Sequence, residues 1–99
     1  MNNINIELKN LGTINQNCVT IKGSFGSVNL YFSYETIVAV DGIVSENIWS
    51  KTTGKLLNYL QKDKDKRVPY DIVLKEVEKR LKNILFSQKE QIAEGFLTE

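Results

Sequence analysis

The stretch S-Y-E-T-I-V-A-V-D-G-I-V-S-E-N-I-W-S-K-T-T-G-K-L-L-N-Y-L, from Ser33 to Leu60, reads as a β-hairpin that runs directly into a helix. Its turn is Asp41-Gly42, two residues that tolerate positive φ and so join strands of natural twist. A two-residue turn fixes the register. Val40 then faces Ile43, Val38 faces Ser45, Thr36 faces Asn47 and Tyr34 faces Trp49 on one side, while Ala39 meets Val44, Ile37 meets Glu46 and Glu35 meets Ile48. Both sides are partly apolar, so the hairpin is either covered on both by the chain itself or offers one to a partner.

Upstream, three segments alternate with the period of a strand: Ile4, Ile6 and Leu8; Val19 and Ile21; Val28, Leu30 and Phe32. Asn10-Leu11-Gly12 and Gly23-Ser24-Phe25-Gly26 supply the turns between them. Downstream, Ser50, Thr52 or Thr53 can cap a first helix, whose buried face is Thr53, Leu56, Leu57 and Leu60 and whose opposite face is Lys51, Lys55, Asn58 and Lys62. Gly54 costs about 1 kcal/mol relative to Ala in a helix interior, which points to close packing there or to a helix that begins one residue later.

Residues 62–67, K-D-K-D-K-R, form a charged linker with nothing to bury. Pro69 at the first helical position and Asp71 in the first turn then open a second helix. Its apolar face runs through Tyr70, Val73, Leu74, Val77, Leu81, Ile84 and Leu85 to Ile92 and Phe96, with Gly95 as a stop. Such a helix spans about 39 Å, against about 20 Å for a typical strand. Its distal half therefore bends back after Ser87 or packs on another copy. The expected fold is α+β: an antiparallel four- to five-stranded β-meander followed by two α-helices packed on one face. It forms a single domain, 1–99, with the sheet in 1–49 and the helices in 50–99.

Ninety-nine residues with 41% hydrophobic and 25% charged side chains suit one small globular core. No apolar run approaches the roughly 20 residues of a membrane span. The start M-N-N-I-N-I-E-L-K lacks the features of a secretory signal and Cys18 has no partner for a disulfide, so a reducing, cytoplasmic setting is expected. The net charge of +1 argues against a DNA mimic, which needs a dense acidic surface. It divides as −2 over residues 1–50 and +3 over 51–99, so the helical half carries the positive charge.

Little in the chain supports catalysis. Thr52-Thr53-Gly54-Lys55 resembles a phosphate loop but has Trp49 and Leu56 where that loop needs Gly and Ser or Thr. With no His and one Cys, the usual zinc ligand sets cannot form, and no metal or cofactor is expected. Glu35 and Glu46 share a hairpin face and could approach diagonally, an arrangement that is more often a solvated pair than an acid and base. The chain is expected not to be an enzyme. Partner contacts are expected at Tyr34, Trp49, Lys51, Thr52, Thr53, Lys55, Asn58 and Phe86. Trp49 either closes the hairpin end against Tyr34 or stands exposed as an anchor. The alternative is nucleic-acid binding by two lysine stripes, Lys51, Lys55 and Lys62 on the first helix and Lys75, Lys79 and Lys82 on the second. A solvated helix face, laced by Glu76–Arg80 and Glu78–Lys82 pairs, accounts for the second stripe equally.

The run S-E-N-I-W-S-K-T-T-G-K-L-L-N, from Ser45 to Asn58, resembles a family of small uncharacterised proteins of phages, archaeal viruses and mobile elements. Its pattern is S-E-N-x-W-S-x-T-T-G-K-H-L-N after a Tyr-containing strand and tight turn. The likeness covers Tyr34 to Tyr59, and Leu56 replaces the usual His. The resemblance implies a viral or prophage accessory protein. Together with the small size, the absent chemistry and the spare apolar surface, it leads to the expectation of a protein that binds a host protein, as an inhibitor of a defence system such as a CRISPR effector. A homodimer is a further candidate assembly.

Overall fold

The computed structural model describes residues 4–85. Five strands form one antiparallel meander in the order β1 (Asn5–Asn10), β2 (Gln16–Gly23), β3 (Gly26–Ser33), β4 (Thr36–Val40) and β5 (Ile43–Val44). Two helices follow, α1 (Lys51–Leu60) and α2 (Tyr70–Leu85). The α+β class, the five antiparallel strands and the order of the two helices are as expected. Phe86, Ile92 and Phe96, and the bend expected after Ser87, lie outside the described residues.

The two helices, however, lie on opposite faces of the sheet. Val28, Leu30 and Val40 form a core with Val73, Val77 and Ile84 of α2, while Val38, Ala39 and Val44 form a separate one with Leu56 and Leu57 of α1. Register explains the split. Leu30 pairs with Val40 and Phe32 with Ile37 on the α2 side, whereas Tyr31 pairs with Ala39 on the α1 side. Between those pairs Val38 is the extra residue of a bulge, so β4 sends both Val38 and Ala39 toward α1. A hairpin apolar on both sides needs two covers, and each helix supplies one.

The hairpin turns at Asp41, whose φ is +50°, and pairs Val40 with Ile43 and Ala39 with Val44. The ladder then stops, so the expected pairs of Thr36 with Asn47 and Tyr34 with Trp49 do not form. Val68 lies along the outer edge of β5. It donates to the Val44 carbonyl at 2.9 Å and accepts from the Glu46 amide at 2.8 Å, in a parallel bridge beside Ser45. Residues 62–67 thus carry the chain from the α1 side around the β5 edge to the α2 side. They are more ordered than a solvated linker: Asp63 caps a 3-10 turn at Lys64–Lys66, and Arg67 donates to the Gln61 carbonyl at 3.0 Å.

Helix α2 is anchored beyond its apolar face. Arg80 pairs with both Asp41 and Glu76, and Asp41 also accepts from the Asn29 amide at 2.9 Å. The Asp41 carboxylate hydrogen bond holds the Arg80 guanidinium pKa above its ordinary value. Near its last turn Ile84 approaches Gly23 so closely that a Cβ there would sit 2.8 Å from its Cγ2. Leu74 and Leu85, expected on the buried face, are exposed. They sit at its margins, beyond the sheet's cover.

Candidate functional site

Helix α1 begins where its sequence can satisfy its first amides. Ser50 is the cap and its hydroxyl accepts from the Thr53 amide at 3.3 Å. Asn47 braces the same turn from outside, accepting from the Trp49 amide at 3.0 Å and donating to the Ser50 carbonyl at 3.1 Å. A Cβ on Gly54 would lie 2.8 Å from the Asn47 amide nitrogen, which is why glycine stands inside this helix. Much of the N-x-W-S-x-T-T-G run is therefore the scaffold that aims α1.

The expected contact residues divide accordingly. Thr53 is buried and its hydroxyl bonds the Ser33 hydroxyl at 2.8 Å. Trp49 is half-buried and its ring meets Tyr70 of α2 edge-on, with centroids 5.0 Å apart at 89°, rather than closing the hairpin against Tyr34. Asn58 is exposed but accepts from Arg67, beside an open cleft of about 390 Å³ lined also by Glu46, Asn47, Gly54 and Lys64. Glu35 lies in the β3–β4 turn and Glu46 follows β5, so the shared hairpin face that would have brought them together does not exist.

Tyr34 and Thr52 are brought near one another at the start of α1, whose first residue is Lys51. The Tyr34 amide donates to the Asn15 carbonyl at 2.6 Å, and the neighbouring Gln16 side chain donates to the Thr52 carbonyl at 3.2 Å. These bonds gather the β1–β2 turn, the β3–β4 turn and the first turn of α1 at one end of the sheet. Tyr34 has a φ of +56°, a left-handed conformation that costs a non-glycine residue about 1 kcal/mol. Its side chain is 57% exposed all the same. Beside it Ile14 is 88% exposed, and the two help line an open depression of about 490 Å³ with Asn15, Asn17, Glu35 and Thr36.

Ile14 was not among the expected site residues. Its signal was an apolar residue inside the turn-forming run G-T-I-N-Q-N. Tyr59 was missed too: it is 81% exposed on α1, one turn after Lys55 and beside Asn58, whereas Lys62, expected on the same helix, lies beyond Leu60, where α1 ends.

The two lysine stripes do not share a surface, since α1 and α2 cover opposite faces. Lys75 pairs with Asp71 at 3.8 Å and Lys82 with Glu78 at 3.0 Å, whereas Lys51, Lys55, Lys62 and Lys79 make no ion pair among the described residues. On the α1 side of the sheet, burial and the adjoining Cys18 raise the pKa of Tyr31 above its usual 10.0.

The class this defines is an antiparallel α+β domain with one helix on each face of a five-stranded meander. The chain belongs to a family of unknown function, DUF8033, which matches residues 4–75 and so spans all five strands, α1 and the opening of α2. No curated protein and no solved structure matches the chain. No helix among the described residues is long and apolar enough to cross a membrane.

Proposed function

We propose that this chain is a non-enzymatic protein-binding domain whose contact surface is the turn end of the sheet, centred on Tyr34 and Ile14 and flanked by Thr52 and Lys51. The observation that carries the reading is Tyr34 itself. A tyrosine is held in the left-handed region with its ring in solvent, at a position where glycine or asparagine would relieve the strain. Strain kept at an exposed aromatic is the mark of a side chain retained for contact, and aromatic anchors dominate protein interfaces. The likeness of residues 34–59 to small phage and mobile-element proteins makes a cytoplasmic host protein the first partner to test, with defence effectors such as a CRISPR nuclease at the head of the list.

A second reading rests on Tyr59, an exposed aromatic one turn from Lys55 on the helix that Lys51 opens. Such a stripe suits single-stranded nucleic acid, where bases stack and phosphates are neutralised. Salt separates the two, because phosphate contacts weaken steeply as counterions compete. Immobilised full-length protein is exposed to bacterial lysate at low and high salt, with and without nuclease. The expected result is a protein retained at high salt and lost with Tyr34→Gly and with Ile14→Ser, while Tyr34→Gly leaves the fold at least as stable. Recovery of nucleic acid alone, released by salt and by Lys55→Glu, would overturn this reading in favour of the α1 stripe.

A further inference from the structure

The two edges of the sheet are treated differently. At β5 the edge is closed by Val68, which bonds to Val44 and Glu46. At β1 no strand among the described residues lies on the outer side, and all six of its residues are exposed. An open edge presents a row of unpaired amides and carbonyls that can template another strand.

The side chains of β1 are far from neutral toward what that strand could be. On the α2 side of the sheet, Ile6 and Leu8 continue the apolar rows of Ile21 and Val19, their partners in β2, but are 64% and 72% exposed because α2 covers only the inner strands. On the other side stand Asn5, Glu7 and Lys9. Glu7 and Lys9 have opposite charges and lie two residues apart on one face. An antiparallel pairing of β1 with itself about a two-fold axis through Leu8 therefore places Leu8 opposite Leu8 of the second copy. It also sets each Glu7 opposite the other copy's Lys9. Cross-strand pairs of opposite charge and of large apolar groups each favour such a ladder. The apolar stripes of both copies would then meet on the same face, in the trough between the two α2 helices.

We infer that β1 is the dimerisation edge of this protein and that its occupant is β1 of a second copy, in the register centred on Leu8. The pairing joins two meanders into one ten-stranded sheet. An isologous two-fold contact requires a self-complementary patch, and the E-L-K triplet is self-complementary when read antiparallel.

Light scattering of the full-length chain across a dilution series tests this. The expected mass at high concentration is twice the 11.3 kDa of the single chain. Leu8→Asn, at a position exposed in the monomer, should weaken dimerisation at least tenfold with an unchanged circular dichroism spectrum. Glu7→Lys and Lys9→Glu should each do so by setting like charges opposite one another, and the double reversal should restore the dimer. Glu7→Lys also removes the pairing of Glu7 with Lys22, but the double variant lacks that pairing too, so recovery isolates the contact between copies. A wild-type chain that stays monomeric overturns the proposal, whether the stripe is covered by residues 86–99 or by a foreign strand. So does a dimer that ignores Leu8→Asn, or a charge swap that fails to restore it. None of these outcomes bears on Tyr34, whose variants are read by partner capture.

Discussion

The two faces of the sheet are held by different means. Against α2 lies a core of Val28, Leu30, Val40, Val73, Val77 and Ile84, flanked by seven further half-buried apolar side chains, with Arg80 bound to Asp41 as its polar tie to the sheet. Against α1 the cluster is smaller, and polar groups tie the helix to the sheet: Ser33 to Thr53, Gln16 to Thr52, Asn47 across the helix start. No buried side-chain polar atom among the described residues lacks a partner. A helix of ten residues presents too little apolar area to be fixed by burial alone, and directional bonds set its position instead. The difference teaches why the ordered motif clusters where it does: a small interface needs more specific residues per contact than a large one.

That contrast can be broken most forcefully at Leu57, fully buried and central to the smaller cluster. Leu57→Ala should cost about 3 kcal/mol in urea unfolding. Val73→Ala, equally buried in the larger α2 core, should cost about 2 kcal/mol. If Val73→Ala proved the more damaging, the small face would not depend on its few apolar groups as described.

A sharper probe is Thr53→Val, which keeps the shape and adds apolar character but leaves the Ser33 hydroxyl buried without its partner. The expected loss is about 1–2 kcal/mol, largely recovered in Thr53→Val with Ser33→Ala, where both hydroxyls are gone. Equal loss in the single and double variants would show that the bond is incidental to the placement of α1.

The smallest expected effect changes sign with context. Gly54→Ala should gain about 1 kcal/mol of helix propensity but displace the Asn47 side chain and its two hydrogen bonds, so that the variant is slightly less stable than wild type. In an Asn47→Ala background the same change should stabilise by about 1 kcal/mol. Thermal unfolding of the four proteins reads this directly, and a stabilising Gly54→Ala in the wild-type chain would mean that Asn47 does not brace the turn.

Much of this was legible locally. The alternation of Val28, Leu30 and Phe32, the Asp41-Gly42 turn with its first pairs, the Ser50 cap and the buried face of Thr53, Leu56 and Leu57 all follow from side-chain period and short-range hydrogen bonding. Gly54 signalled the close approach that Asn47 makes. Tyr34 and Trp49 were misplaced because the hairpin ladder ends at Val44, and Val68 pairs along the outer edge of residues 44–46 as they leave the sheet. That partner is 24 residues distant, and nothing near Ser45 announces it. Tyr34 consequently stands in a turn, and Trp49 finds Tyr70.

By itself, then, the amino-acid order determined the identity and sequence of the elements, the turn chemistry and which stripe of α1 is buried, since these depend on neighbours within a few residues. Only the tertiary structure decided which side of the sheet each helix covers and which exposed side chains gather into a surface. The bulge at Val38 redirects β4, and the crossing at Val68 carries the chain around the sheet edge. Both are long-range pairings, whose free energy comes from contacts that local pattern does not encode.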